Sequence, residues 1–375
     1  MQNSLDRPVK VLLVNNYSME NAYSLWKNGK SGSHHVWGKV ELERKGNIKM
    51  EIFRHEKFRF LNKLGKMIGM KHLDQQVRVL GHKNYDILYA PYALANTSLL
   101  VLLKWLGLYK KPIVATIHQP FLGTRSKNKL WRNFSKKALL QYDISIFLSE
   151  ALMKDAVERL EIPPHIVAEK FRSAQWGPDT EFYENKLQTD IPLEECTYAV
   201  SAGHTDRDYI TLIEAFRNID FPLKIYCTPE TRPMVADLPD HVTINSQKIP
   251  YVELLDIYSK AKIILTPMVF PEINEGCQGM TSVQDVVALG KPTIMTKNNT
   301  LNLDIEKEGF GQYVEMGDVH GWVTAVNNLI HNDELLNSMR GNALRIYKNK
   351  FNSEIFASAL EREFMGIMGR KRVKA

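Results

Sequence analysis

The chain has 375 residues, 44% of them hydrophobic and 24% charged, a balance that fits a globular protein of two ordinary domains and excludes disordered and collagen-like chains. Three cysteines, Cys196, Cys227 and Cys277, are odd in number and far apart, which suits neither a disulfide framework nor a zinc site and predicts a reducing cytosol. The net charge of +7 hides an asymmetry: residues 1–180 carry 29 Lys and Arg against 15 Asp and Glu, or +14, and the remainder sums to −7, so two domains with different partners are expected.

The N-terminus MQNSLDRPVKVLLVNNY has a short apolar run bounded by asparagines and reads as a first strand, not a signal peptide. Four more β-rich runs follow: NIKMEIFRH, YDILYAPY, KPIVATIH and ISIFLSE. Between them lie three segments that interleave basic and large apolar residues, at 57–73, 102–112 and 127–140. Each alone reads as a solvated helix face; three in one half predict peripheral contact with an anionic membrane. The most apolar stretch, ILYAPYALANTSLLVLLKWLGLY, is interrupted by Pro91, Asn96 and Lys104, so no bilayer span is expected. Periodicity fades across WGPDTEFYENKLQTDIP, which sets a boundary near 180–195. Six runs follow, TYAVSAG, LKIYC, VTINS, AKIILTP, KPTIMT and QYVEM, alternating with helical stretches such as DYITLIEAFRN and VQDVVALG. Strands alternating with helices specify parallel βαβ units, so each half is expected to be an α/β, doubly wound domain.

In open parallel sheets ligands gather where strands end. Those positions hold SGSHH, IHQPF with His118, SAGHTDRD with Arg207, and EGCQGMTS. In the last, Gly279 admits close backbone approach, and the first-turn N–H groups of the next helix form an anion site. Thr281 or Ser282 is predicted as N-cap, which puts Asp285 in the first turn. An ordinary capped helix fits this stretch equally well, and His118 or Arg207 alone reads as a strand-end or helix-start residue. A cation near a helix N-terminus is what a nucleotide diphosphate requires, and the joint placement favours that reading.

These segments resemble a family: the retaining glycosyltransferases of the two-Rossmann-domain (GT-B) type, in the large group that includes sucrose synthases and bacterial polysaccharide mannosyl- and glucosyltransferases. The resemblance covers nearly the whole chain and rests on SGSHHVWG, VATIHQ, WGPDTEFY, SAGHTDRDYITLIEAF and GMTSVQDVVALGKPTI, with GQYVEMGDVHGWVTAVNNLI after them. It implies two doubly wound domains facing across a cleft: an acceptor-binding domain at 1–185, a nucleotide-sugar domain at 186–350, and a C-terminal helix at 351–375 packing back toward the first. It places His118 beside the donor sugar and Arg207 on the diphosphate. Gly32, Ser33 and His34 fall under the diphosphate, Gly279, Met280 and Thr281 at the helix start, and Asp285 on the ribose. The family has two glutamates eight positions apart. Here Asp285 stands at the second and Cys277 at the first, with Glu275 the nearest acid for the first role.

The resemblance further implies transfer of a sugar, with retention, from a nucleotide-sugar donor to a saccharide or lipid-linked acceptor in cell-surface polysaccharide synthesis. No cofactor or metal is implied, no nucleic-acid partner is expected, and the site of action is the cytoplasm at the inner membrane face. A nucleotide-sugar epimerase of the same fold is the alternative, and a non-catalytic nucleotide-sugar or basic-surface binding protein is the alternative from another class.

Overall fold

The computed structural model describes residues 7–186, 191–270 and 275–374; residues 187–190 of the predicted boundary stretch lie outside the described residues. The chain divides into two compact units, one of Met1–Asn28, Ser33–Trp176 and Ser353–Ala375, the other of Gly29–Gly32 and Gly177–Asn352.

The first unit holds strands β1 (Val9–Leu13), β2 (Ile48–Ile52), β3 (Ile87–Ala90), β4 (Ile113–Ile117), β5 (Ile144–Phe147) and β6 (Phe171–Ser173). They form one parallel sheet in the order β2-β1-β3-β4-β5-β6. Every residue of the inner strands β3, β4 and β5 is buried, the mark of a sheet covered on both faces, whereas edge strand β2 exposes Lys49 and Glu51 between buried Ile48 and Met50. The Ser353–Lys374 helix returns to this unit: Phe356, Leu360, Phe364 and Ile367, spaced three to four apart, are all buried.

The second unit holds β7 (Ala199–Ala202), β8 (Leu223–Tyr226), β9 (Val242–Asn245), β10 (Ile263–Thr266), β11 (Thr293–Thr296) and β12 (Gly311–Val314). Their order is β12-β11-β10-β7-β8-β9, again all parallel. Among the described residues, eleven of the twelve strands coincide with the apolar runs read from the sequence. The exception is β6, whose three residues Phe-Arg-Ser are too few to show a period.

Both sheets reverse their winding direction, the first between β1 and β3 and the second between β7 and β10. At such a switch the connections leave toward opposite sides and open a crevice beyond the carboxyl ends of the strands.

Candidate functional site

In the second unit the loops leaving β7 and β10 are stitched together across the switch. Val269 N–H donates to the Asp206 carbonyl at 2.9 Å and Asp208 N–H to that of Pro267 at 3.2 Å, with an isolated antiparallel bridge between Arg207 and Met268. Arg207 is thereby held over the end of β7. Its Nε donates to the Ala202 carbonyl at 3.2 Å, and its Nη2 donates to Ser282 Oγ at 2.8 Å, while Nη1 touches the Met268 sulfur. Gly203 makes this possible: a Cβ there would stand 2.4 Å from Arg207 Nε, and its φ of 147° lies in the region that favours glycine.

Ser282 belongs to the first turn of the Met280–Ala288 helix. The N-cap is Gly279, in the left-handed conformation at φ 87°, not Thr281 or Ser282 as the sequence predicts. Side-chain capping preference loses here because a left-handed residue must turn the chain into the helix, beside Met295 at the end of β11. Met280 N–H closes on the Cys277 carbonyl at 3.2 Å and Val283 N–H on that of Gly279 at 3.1 Å, which leaves the Thr281 and Ser282 N–H groups at the open end of the helix. The preceding loop is fixed by buried Asn298, whose Nδ2 donates to the Gly276 and Gln278 carbonyls at 3.0 Å each. Cys277 is buried and burial pushes its thiol up to about 12, so it carries no charge at neutral pH. Glu275, partly exposed, begins the loop, next to residues 271–274 outside the described residues.

The shift of the cap moves Asp285 from the expected first turn to the second. Asp285 is buried, and its Oδ1 accepts the hydroxyls of Tyr183 and Tyr251 at 2.5 Å each, the two phenol oxygens standing 2.7 Å apart. Burial raises its pKa to about 6 despite the two phenols, and it raises both tyrosines well above their ordinary value, so they remain donors. A carboxylate here is mostly ionised at pH 7.

The first unit presents rings at its own switch. His118 directly follows β4, and its ring stands edge-on to Tyr92 with centroids 4.3 Å apart; Tyr92 also meets Tyr17 at 6.3 Å and Trp37 at 5.9 Å. Burial lowers the His118 pKa to about 4, and its buried Nδ1 has no hydrogen-bond partner among the described residues. Ser33 and His34 open a short 3-10 turn, Ser33–Val36, with both side chains inside the unit. The Ser33 hydroxyl donates to Glu41, and the His34 carbonyl accepts Trp176 Nε1 at 3.0 Å. Gly32, just before this turn, groups with the second unit.

The structure therefore gathers Arg207, Gly279, Met280 and Thr281 at one helix start, with Asp285 a turn deeper in the same unit; His118, Ser33 and His34 belong to the other unit. The sequence reading missed Ser282 as the arginine's partner, Asn298 as the loop clamp, and Tyr183, Tyr251, Tyr92, Tyr17 and Trp37. Only the asparagine pair after KPTIMT, at the end of a strand, carried a local signal.

Two parallel six-stranded sheets, wound in this way in one chain, make this the GT-B fold. The chain is similar to a glycosyltransferase from Rickettsia africae (14% identity, 97% of this chain and 99% of that one, TM-score 0.65). It is also similar to sucrose-phosphate synthase from Thermosynechococcus elongatus (14%, 97% and 100%, 0.67) and to Anabaena HepE in complex with UDP and glucose (12%, 96% and 100%, 0.62). A candidate UDP-N-acetylglucosamine 2-epimerase from Listeria monocytogenes shares the fold at 12% identity, 97% of each chain and TM-score 0.59. No family model and no curated protein matches the sequence.

Proposed function

We propose that the chain is a retaining glycosyltransferase that moves a sugar from a nucleotide-sugar donor to a saccharide or lipid-linked acceptor in cell-surface polysaccharide biosynthesis. One observation carries the reading: Arg207 Nη2 lies 2.8 Å from Ser282 Oγ in the first turn of the Met280–Ala288 helix, so a guanidinium and open backbone N–H groups stand at one helix N-terminus. The complexes of Anabaena HepE with UDP and with UDP-glucose support a nucleotide-sugar donor.

In the proposed reaction the bond between the anomeric carbon and the diphosphate breaks, and negative charge grows on the departing phosphate. Arg207 and the Thr281 and Ser282 N–H groups would stabilise that charge in a preorganised site, the work a divalent metal does elsewhere. Asp285, with Oδ1 committed to Tyr183 and Tyr251, would offer its other oxygen to the ribose hydroxyls. His118, neutral at pH 7, would hydrogen-bond a sugar hydroxyl rather than supply a positive charge. Glu275 is the acid proposed for the sugar side of the loop.

The first unit would meet an anionic cytosolic leaflet. Its Arg59–Met67 helix exposes Phe60, Leu64 and Met67 among Lys63 and Lys66, and no helix among the described residues is long and apolar enough to cross a membrane.

Incubation with a panel of nucleotide sugars tests the reading. Release of nucleoside diphosphate, with the anomeric configuration of the transferred sugar retained by NMR, is the expected result. Conversion of a donor to its epimer without net release would favour the epimerase reading, for which the Listeria neighbour speaks; binding without turnover would leave a binding protein.

A further inference from the structure

On the flank of the first sheet a cavity of about 470 Å³ lies between strands β5 and β6 and the Ser353–Lys374 helix. Ile146 and Arg172 are paired in register, so both side chains face the same side of the sheet, and Ala174, Arg362, Gly366 and Arg370 complete the wall that matters here. The volume falls in the range of small-molecule sites, about 300–1,000 Å³.

The charges in this wall are not equivalent. Arg172 is spent on the protein: its Nε donates to Glu363 at 3.0 Å, Nη1 to the Ala168 and Phe171 carbonyls at 2.8 and 2.7 Å, and Nη2 to that of Glu169 at 3.3 Å. Arg362 and Arg370 have no hydrogen bond or ion pair among the described residues. They stand four residues either side of Gly366, on one stripe of the helix. Helical side chains lean toward the N-terminus, and Arg370 Nη1 indeed comes within 3.9 Å of the place a Gly366 Cβ would occupy. Arg370 thus leans over the glycine toward Arg362. Glycine is disfavoured inside a helix, and at this position it leaves the cavity floor beneath the Arg370 guanidinium open.

We propose that this cavity binds a phosphate monoester. Two uncompensated guanidinium groups match the near-dianionic charge of that group at neutral pH, their planar forks match its oxygens, and Ile146, Ala174 and Ala359 receive a small organic body. The site is separate from the donor site proposed above and does not depend on it.

Two sources carry this chemistry, a soluble ester and a lipid headgroup, and the probes are glycerol 3-phosphate and vesicles containing phosphatidic acid. Binding is measured by titration calorimetry or vesicle flotation on the full chain carrying Arg207→Ala, which disables the donor site, so failure here and failure of the glycosyltransferase reading are separable. Saturable binding of at least one probe is expected. It should weaken about tenfold for each of Arg362→Gln and Arg370→Gln, and equally on Gly366→Leu, which keeps both charges but fills the floor. The control Lys63→Gln with Lys66→Gln removes two charges, twice what either arginine change removes, from an exposed helix of the same unit and should leave glycerol 3-phosphate binding intact. Binding of glycerol 3-phosphate assigns a soluble ester; vesicle binding alone, lost on Gly366→Leu, assigns the headgroup. Absence of saturable binding overturns the proposal, as does loss on charge removal with no effect of Gly366→Leu in a variant that melts like the parent.

Discussion

The two units share a topology and differ in what they put at its switch. The second unit, from the half of the chain with net negative charge, holds a guanidinium over a helix N-terminus. The first, from the half with +14, holds uncharged rings, His118, Tyr92, Tyr17 and Trp37, and carries exposed lysines on outer helices instead. Net charge thus says little about where an anion binds. What matters is local: one arginine whose field adds to unsatisfied N–H groups outweighs a diffuse excess of solvated charge that salt screens.

The largest effect that separates the two is expected at Arg207. Arg207→Ala should lower turnover by about 10²–10³-fold, comparable with loss of one preorganised donor to a developing oxyanion. Lysine should restore part of it, since the charge survives but the fork that reaches both Ala202 and Ser282 does not. Equal rates for lysine and alanine would make the residue structural.

Acid should then pull the units apart. His118 and His35 have folded pKa values near 4 against an ordinary 6.5, both lowered by burial. Folding favours their neutral form, so the stability they contribute is present above pH 6.5 and is lost as pH falls through that value toward 4, at most about 3 kcal/mol each. Asp285 runs the other way: raised by burial from 3.8 to about 6, its protonated form is favoured by the fold, and that contribution is lost as pH rises through 6. Between pH 7 and 4.5, amide protection, taken as exchange relative to its own pH-dependent intrinsic rate, should fall in the first unit and rise around the Met280–Ala288 helix. Asp285→Asn should abolish the rise. Protection that rises in both units would contradict the assignment.

At neutral pH the same aspartate gives a smaller effect, on binding. Asp285→Ala should weaken donor affinity by roughly 1.5–3 kcal/mol, the range for hydrogen bonds to a charged group. Tyr251→Phe should cost stability by about 1 kcal/mol while leaving affinity nearly unchanged, because its hydroxyl bonds Asp285 through Oδ1 and not through the oxygen offered to the ribose. Unchanged affinity in a folded Asp285→Ala protein, measured by calorimetry, would sink the ribose assignment.

The sequence made the sheets legible because buried parallel strands are written as short apolar runs, IVATI and IILT among them. It made the anion site legible in outline, since Gly279 and the polar residues after it are contiguous. Its partners were not legible. Ser282 is 75 positions from Arg207, and Tyr183 and Tyr251 are 102 and 34 from Asp285, joined only by the winding of the sheet. The cap was misread for a local reason: Thr281 and Ser282 have the side chains that cap helices, but the backbone needed a left-handed residue first, and only Gly279 takes that conformation without strain.

The smallest effect per residue, and the sharpest test of the contrast, concerns the outer charge of the first unit. If Lys63, Lys66 and Lys71 face anionic lipid, each contributes on the order of 1 kcal/mol, screened over about 8–10 Å at physiological salt. Changing all three to glutamate should release the protein from anionic vesicles while donor hydrolysis in solution persists, because Arg207 and the helix N-terminus belong to the other unit. Salt should do the same, up to a residual apolar grip. That residue has two identifiable sources: Phe60 and Met67, exposed by 66% and 83%, and a second patch where Trp131 stacks on Phe134 at 5.2 Å and Lys137 lies 5.5 Å from the Trp105 ring. Trp131→Ala and Met67→Ser should remove it without changing the salt dependence. Flotation with vesicles at low salt decides the matter: if the unaltered protein stays in solution there, the lysines are a solvated face and a soluble acceptor replaces the lipid-linked one.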